Sequence, residues 1–169
     1  MFPGETPVQS CQRLLKRELG LDIEYERFMA VCAQAFAFGM REQVPKEHGT
    51  TDTQFCYKVQ LKDEGEVKKV VVDEQEYCDS EWKLPSEILE GNYHPALKYA
   101  VGCMLAGDAL EELQECEEKG GSDAEVAKLS REFLKRKRAV DEVMKKNEYR
   151  LDSKEMNYQT TFQMLVHLL

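Results

Sequence analysis

The sequence predicts a mixed α/β domain with a C-terminal helical extension, and three observations carry that expectation. Apolar residues recur at helical spacing at both ends of the chain, β-like runs lie between residues 27 and 72, and the charge balance changes near Tyr93. Residues 1–94 hold 18 acids against 11 bases, whereas residues 95–169 hold 14 against 12 and are patterned as helix throughout. A length of 169 residues suits one domain with an extension better than two domains. The apolar share of 42% is enough for a core, and the charged share of 33% supplies solvated helix faces.

The first helix has both of its ends written in the sequence. Thr6 is a good N-cap, Pro7 fits the first helical position, Gln9 completes a capping box, and Gly20 sits where a left-handed residue would stop the helix. Strand-like runs follow at Arg27 to Phe38 and Thr51 to Lys62, joined by a polar loop with Gly39, Pro45 and Gly49. Lys62-Asp63-Glu64-Gly65 reads as a hairpin turn leading into a third run, Glu66 to Val72. Pro85 to Glu90 reads as a short helix. A longer one runs from Pro95 to about Glu118, with Leu97, Val101, Met104, Leu105 and Leu113 on one side. Gly120-Gly121 breaks it, and Ser122 with Glu125 caps the next helix. The two should form an αα-hairpin in which the acids of Asp108 to Glu118 meet the bases of Lys128 to Arg150. A terminal helix is expected from Tyr158, Phe162, Leu165 and Leu169. Phe36, Phe38 and Trp82 are core candidates, His94 caps the helix after it, and His167 packs on the terminal helix.

The net charge of −9 disfavours non-specific attachment to nucleic acid or to an anionic membrane. Lys135 to Arg138 is the one basic run, and it reads as a solvated helix face partnered by the acidic helix more readily than as an RNA or phosphate patch. No apolar run approaches the ~20 residues of a membrane-spanning helix, and Met1 to Glu5 lacks the make-up of a signal peptide. The six cysteines are scattered singly, with no Cys-x-x-Cys pair, which points to buried small hydrophobes in a reducing intracellular compartment.

The richest segment is Pro3-Gly4-Glu5-Thr6 followed by Arg13-Leu14-Leu15-Lys16-Arg17-Glu18-Leu19-Gly20-Leu21. It resembles the Nudix box: Glu5, a seven-residue spacer, Arg13, Leu15, Glu18, Gly20 and Leu21 all fall in place. Leu14 and Arg17 stand where most members carry glutamates, so Glu18 alone remains of the carboxylates that share that helix face and hold Mg²⁺ against a diphosphate. The GDP-mannose mannosyl hydrolase branch shows the same thinning. The likeness to it continues through Asp73-Glu74-Gln75, Trp82, Pro85-Ser86-Glu87-Ile88-Leu89 and His94-Pro95, over roughly the first 100 residues.

The resemblance implies a Nudix-like α/β/α sandwich with a mixed sheet, as a partial domain over 1–106, and a helical extension, an αα-hairpin plus the terminal helix, over 107–169. The usual Gly-Gly and the strands before the box are not in the sequence, which would leave a sheet edge open. The resemblance also implies Mg²⁺ as cofactor with Glu18 and Gln75 as ligands, Glu76 in the place of the usual histidine base, and Arg13 braced by Glu5 or touching substrate. Two functions are therefore expected. One is Mg²⁺-dependent hydrolysis of a nucleotide-sugar or related nucleoside diphosphate derivative. The other is a catalytically degenerate subunit that binds or scaffolds within a larger protein or ribonucleoprotein assembly, as a homo- or hetero-oligomer formed through the helical extension or the open sheet edge.

Overall fold

The computed structural model describes residues 1–40, 48–75, 77–148 and 158–165, of which 35–40, 48–52, 144, 146–148 and 158–165 are described by backbone alone. The elements are α1 (Pro7–Leu19), β1 (Met29–Met40), β2 (His48–Lys58), α2 (Glu64–Val67), α3 (Pro85–Glu90), α4 (Pro95–Glu118), α5 (Asp123–Glu148) and β3 (Tyr158–Leu165). The class is mixed α/β. The strands form a sheet in the order β2-β1-β3, with β1 and β3 antiparallel and their register shifted between Ala35 and Phe36. The chain divides into two compact units, residues 1–30 with 57–83 and residues 31–56 with 84–169.

In the first unit α1 forms as its sequence directs. Thr6 Oγ1 accepts from Gln9 N at 3.3 Å while Gln9 Oε1 accepts from Thr6 N at 2.9 Å, and Gly20 ends the helix at φ 67° with its N–H on Lys16 O. Val8, Cys11, Leu15 and Leu19 fall on one helical face and pack on the buried Leu21, Ile23 and Phe28, joined by Tyr57, Val59, Leu61 and Val70. Gln12 Nε2 fixes the returning chain by donating to Ile23 O at 2.7 Å.

The expected hairpin at Lys62 to Gly65 is replaced by a helical turn. Asp63 Oδ1 accepts from Glu66 N at 3.0 Å, so Asp63 caps α2, and Glu66 turns back to accept from Lys62 N at 2.7 Å. The chain after it, expected as a third strand, runs beside the end of α1 instead, Val71 N donating to Leu19 O at 3.0 Å and Asp73 N to Glu18 O at 2.9 Å. Trp82, expected in the core, is 72% exposed, and Val71 and Leu84 are similarly open to solvent.

In the second unit α4 and α5 pack as the expected αα-hairpin. Its turn is built by glycine: Gly120 has φ 73°, Gly120 N donates to Glu117 O and Gly121 N to Cys116 O at 2.8 Å, which satisfies the carbonyls at the end of α4. Ser122 and Glu125 then form the reciprocal cap of α5, Ser122 N to Glu125 Oε2 at 2.9 Å and Glu125 N to Ser122 Oγ at 3.4 Å. The buried stripe of α4 is Ala96, Tyr99, Gly102, Cys103, Ala106 and Ala109, together with Val101. The larger Leu97, Met104, Leu105 and Leu113 of the expected face are at most partly covered. Small residues on that stripe let the helices approach closely, and a Cβ on Gly102 would lie 3.0 Å from Val140 Cγ2.

The same register places part of the expected charge pairing differently. Gly102 faces Val140, and Arg136 Nη1 donates to Leu105 O at 2.9 Å, so the basic run Lys135 to Arg138 lies opposite the middle of α4 rather than its acidic end. Arg136 pairs instead with Glu132 at 2.9 Å, Lys137 with Asp141 at 3.1 Å and Lys119 with Glu115 at 2.7 Å, each one turn apart on its own helix or helix end.

One further expectation changes. Tyr158–Leu165 is a strand paired to β1, from Cys32 opposite Leu165 to Phe38 opposite Tyr158. Its apolar positions also fit a period of two, and the Thr160-Thr161 pair with Tyr158 and Phe162 suits an extended backbone against a neighbouring strand. Residues 166–169, with His167, lie outside the described residues. The division expected between residues 106 and 107 falls inside the continuous α4.

If Gly102 and Val140 set the helix spacing, Gly102→Leu should cost about 1–3 kcal/mol in chemical denaturation. Gly107→Ala, where an added Cβ meets nothing within 4 Å, should instead stabilise by up to about 1 kcal/mol. Equal effects of the two substitutions would remove that seam from the account.

Candidate functional site

The site suggested by the box lies at the C-terminal end of α1 and is assembled within the first unit. Helix periodicity puts Glu18 one turn from Leu14 and beside Arg17, and Gly20 stops the helix before another turn can cover it. The Glu18 carbonyl accepts from Asp73 N, and its carboxylate Oε2 accepts from the Tyr77 hydroxyl at 2.6 Å. Between those anchors the chain makes a closed turn, Tyr77 N donating to Asp73 O at 3.0 Å and Gln75 N to Asp73 Oδ1 at 2.9 Å. A turn held at both ends on Glu18 contains Gln75. The two residues expected to share a site are thereby tied to one structural neighbourhood, while Glu76 lies outside the described residues.

The charge around Glu18 differs from that of a cation site. Arg17 Nη2 donates to Glu18 Oε1 at 2.7 Å, so each carboxylate oxygen already carries a donor, and one of those donors is a guanidinium. The Glu18 side chain retains only 23% exposure. A divalent cation taking this carboxylate would have to approach a fixed positive charge. Among the described residues no cluster of three or more His, Cys, Asp or Glu side chains is placed to hold a metal. In this arrangement both Glu18 carboxylate oxygens are committed to Arg17 and Tyr77.

Arg13 is engaged elsewhere. Its Nε meets Glu5 Oε1 at 2.8 Å and its Nη2 meets Glu5 Oε2 at 3.1 Å and Ser10 Oγ at 3.3 Å, while the guanidinium lies 4.2 Å from the centre of the Phe2 ring. Glu5 Oε2 also accepts from Phe2 N at 2.8 Å. This two-point pair ties the loop leading into α1 to the middle of the helix. The hydrogen bonds from Arg13 and Phe2 hold the Glu5 carboxyl at about 2, well under its ordinary 4.5. A second such clasp closes the same unit: Arg27 Nη1 and Nη2 each donate to Glu66 at 2.8 Å, Arg27 Nη2 also reaches Gln60 O at 2.6 Å, and Arg27 with Lys62 N brings Glu66 to about 2.

The second unit holds two further features, of which the first includes part of the basic run Lys135 to Arg138. Arg131, Leu134, Lys135, Arg138, Ala139 and Glu142 line an open groove of about 550 Å³, with three cations on one face of α5. Cys32, Cys56 and Cys103 converge in the apolar cluster around Tyr99 and Val140. His94 is where it was expected, its Nδ1 accepting from Ala96 N at 3.1 Å at the start of α4, and burial lowers its pKa in keeping with that acceptor role.

No family model, curated protein or solved structure matches this chain.

Both clasps involve carboxyls with depressed pKa values, so their contribution is complete above the ordinary value of 4.5 and is lost as pH falls from there toward about 2. Thermal melts should accordingly hold steady from about pH 7 to about pH 5 and drop steeply below. Arg13→Ala and Arg27→Ala should each lower the midpoint near neutrality and flatten the acid limb. An acid limb parallel to that of the parent chain would exclude the clasps as its source.

Proposed function

We propose that this chain is a Nudix-like protein, its α/β elements belonging to that α/β/α sandwich, whose box has turned from cation binding to internal bracing. On this reading it serves as a binding or scaffold component of a larger assembly. The observation that carries the reading is the Arg17–Glu18–Tyr77 arrangement. The side chain that replaces a box glutamate neutralises the carboxylate that remains, and a tyrosine hydroxyl takes its other oxygen. Apolar side chains open to solvent in the first unit, among them Phe2, Tyr25 and Val71, support a role in association.

A second reading is favoured by one observation. Because the turn that bears Gln75 is anchored on Glu18, the chain retains the pairing of helix and loop that a Mg²⁺-dependent hydrolase of a nucleotide-sugar or other nucleoside diphosphate derivative would use.

Both readings meet in one assay. The full chain is incubated with Mg²⁺ and GDP-mannose or ADP-ribose, beside Glu18→Gln and Arg17→Glu. The bracing reading expects no Mg²⁺-dependent turnover in the parent chain, and tighter Mg²⁺ binding by Arg17→Glu in calorimetry. Turnover by the parent chain that falls at least ~10-fold in Glu18→Gln would establish the hydrolase instead.

A further inference from the structure

Three thiols meet in the second unit, and they are unequally exposed. Cys32 on β1 and Cys103 on α4 are buried, while Cys56 on β2 is only partly covered. Cys32 lies in the middle, in thiol hydrogen-bond contact with both Cys56 and Cys103. The strand period explains the meeting. Cys32 and Gln34 share one face of β1, Gln54 and Cys56 share one face of β2, and these strands are sheet neighbours. Contact runs from Cys32 to Cys56 and from Gln34 to Gln54, forward on one strand and backward on the other.

Gln34 gives the cluster its polarity. Only 1% exposed, it directs Nε2 at Cys56 Sγ (3.6 Å), Gln54 Oε1 (3.3 Å) and Ala96 O (3.3 Å), while its own Oε1 has no hydrogen-bond partner. The Ala96 carbonyl can only accept, so the bond to it holds the amide in the orientation that points hydrogens at the sulfur. With a thiol on one side and an amide donor on the other, charge at Cys56 is favoured. The hydrogen bond from Cys32, helped by Gln34, outweighs burial and draws the Cys56 thiol to about 7. Hydrogen bonding to Cys103 and to Cys56, with burial, raises Cys32, and the bond to Cys32 lowers Cys103 as well, but Cys103 is buried on α4 whereas Cys56 is only partly covered.

The geometry points to Cys56 as a thiolate that reacts with hydroperoxides and to Cys32 as its resolving partner, so that mild oxidation links β1 to β2 through a Cys32–Cys56 disulfide. The Cys56 thiolate attacks one oxygen of hydrogen peroxide, the O–O bond breaks, and a sulfenic acid and hydroxide form. Cys32 gives its proton to that hydroxide and attacks Cys56 Sγ. The S–S bond forms as the S–O bond breaks, and the departing hydroxide becomes water on protonation. Two thiols are oxidised and one peroxide is reduced to two waters. The linkage ends the Gln34 contact to a Cys56 thiolate and ties two neighbouring strands covalently.

Exposure and activation make different choices here, because Cys78 is the exposed cysteine. The full chain is treated with limiting hydrogen peroxide, quenched with N-ethylmaleimide and digested, and each cysteine peptide is quantified. Cys56 should lose its free thiol at least ~10-fold faster than Cys78, and a Cys32–Cys56 linked peptide should appear with the mass of two hydrogens missing. In Cys32→Ser the sulfenic acid should persist at Cys56 and be trapped by dimedone. The parent chain gives a readout that needs no variant to fold: Cys56 alkylation by iodoacetamide should rise with pH about a midpoint near 7. Preferential loss of Cys78, a Cys32–Cys103 bridge in place of Cys32–Cys56, or a Cys56 alkylation midpoint at the ordinary thiol value would each overturn the assignment.

Discussion

The first unit depends on how the end of α1 is held. Glu18 provides three attachment points at once, a carbonyl for Asp73 N, one carboxylate oxygen for the Tyr77 hydroxyl and the other for Arg17. Gly20 makes this possible, because its left-handed backbone turns the chain sharply after Leu19 and leaves the Leu19 carbonyl open to Val71 N. A distant segment with little secondary structure of its own is thereby ordered against a helix terminus. Without that attachment the turn from Asp73 to Tyr77 would have only its internal hydrogen bonds to offset the entropy of ordering it.

The chemistry follows from the same contact. A carboxylate at the end of a helix is open to several partners, and the neighbouring residue decides among them. A second carboxylate at position 17 would raise the local negative charge and favour a divalent cation. Arginine there reverses the sign and fills an acceptor site. The carboxylate and the side chain that decides its partner are thus adjacent residues. The clasps from Arg13 to Glu5 and from Arg27 to Glu66 extend the pattern, in which opposite charges within the unit are consumed by one another.

Local signals were legible where a few neighbouring residues decide the structure. The cap at Thr6, the stop at Gly20, the break at Gly120-Gly121 and the extent of α4 from Pro95 to Glu118 follow from sequence chemistry alone. What failed depended on residues far away in the chain. Tyr158 to Leu165 satisfies both a helical and a strand period, and pairing with β1 selects the strand. Trp82, a core candidate as a strand aromatic, is exposed. The covered face of α4 is mostly small residues because α5 approaches at Gly102, and large apolar side chains do not mark it. The thiol cluster was hidden because Cys32, Cys56 and Cys103 come from three elements. The alternation Cys32-x-Gln34 and Gln54-x-Cys56 was its one visible trace. Of the candidate site, the sequence singled out Glu18 and Gln75, whereas the Arg17 and Tyr77 contacts that occupy the Glu18 oxygens carry no sequence signal, since Tyr77 lies 59 residues from Glu18 in the chain.

The central claim is that Glu18 and Tyr77 hold the end of α1 to that turn, and a double-mutant cycle tests it directly. Chemical denaturation of the parent chain, Glu18→Ala, Tyr77→Phe and the double variant should yield a coupling of about 1 kcal/mol, as expected of a partly screened hydrogen bond to a carboxylate. Losses that add to within about 0.3 kcal/mol would mean that the two side chains act independently and that the turn is held by other means.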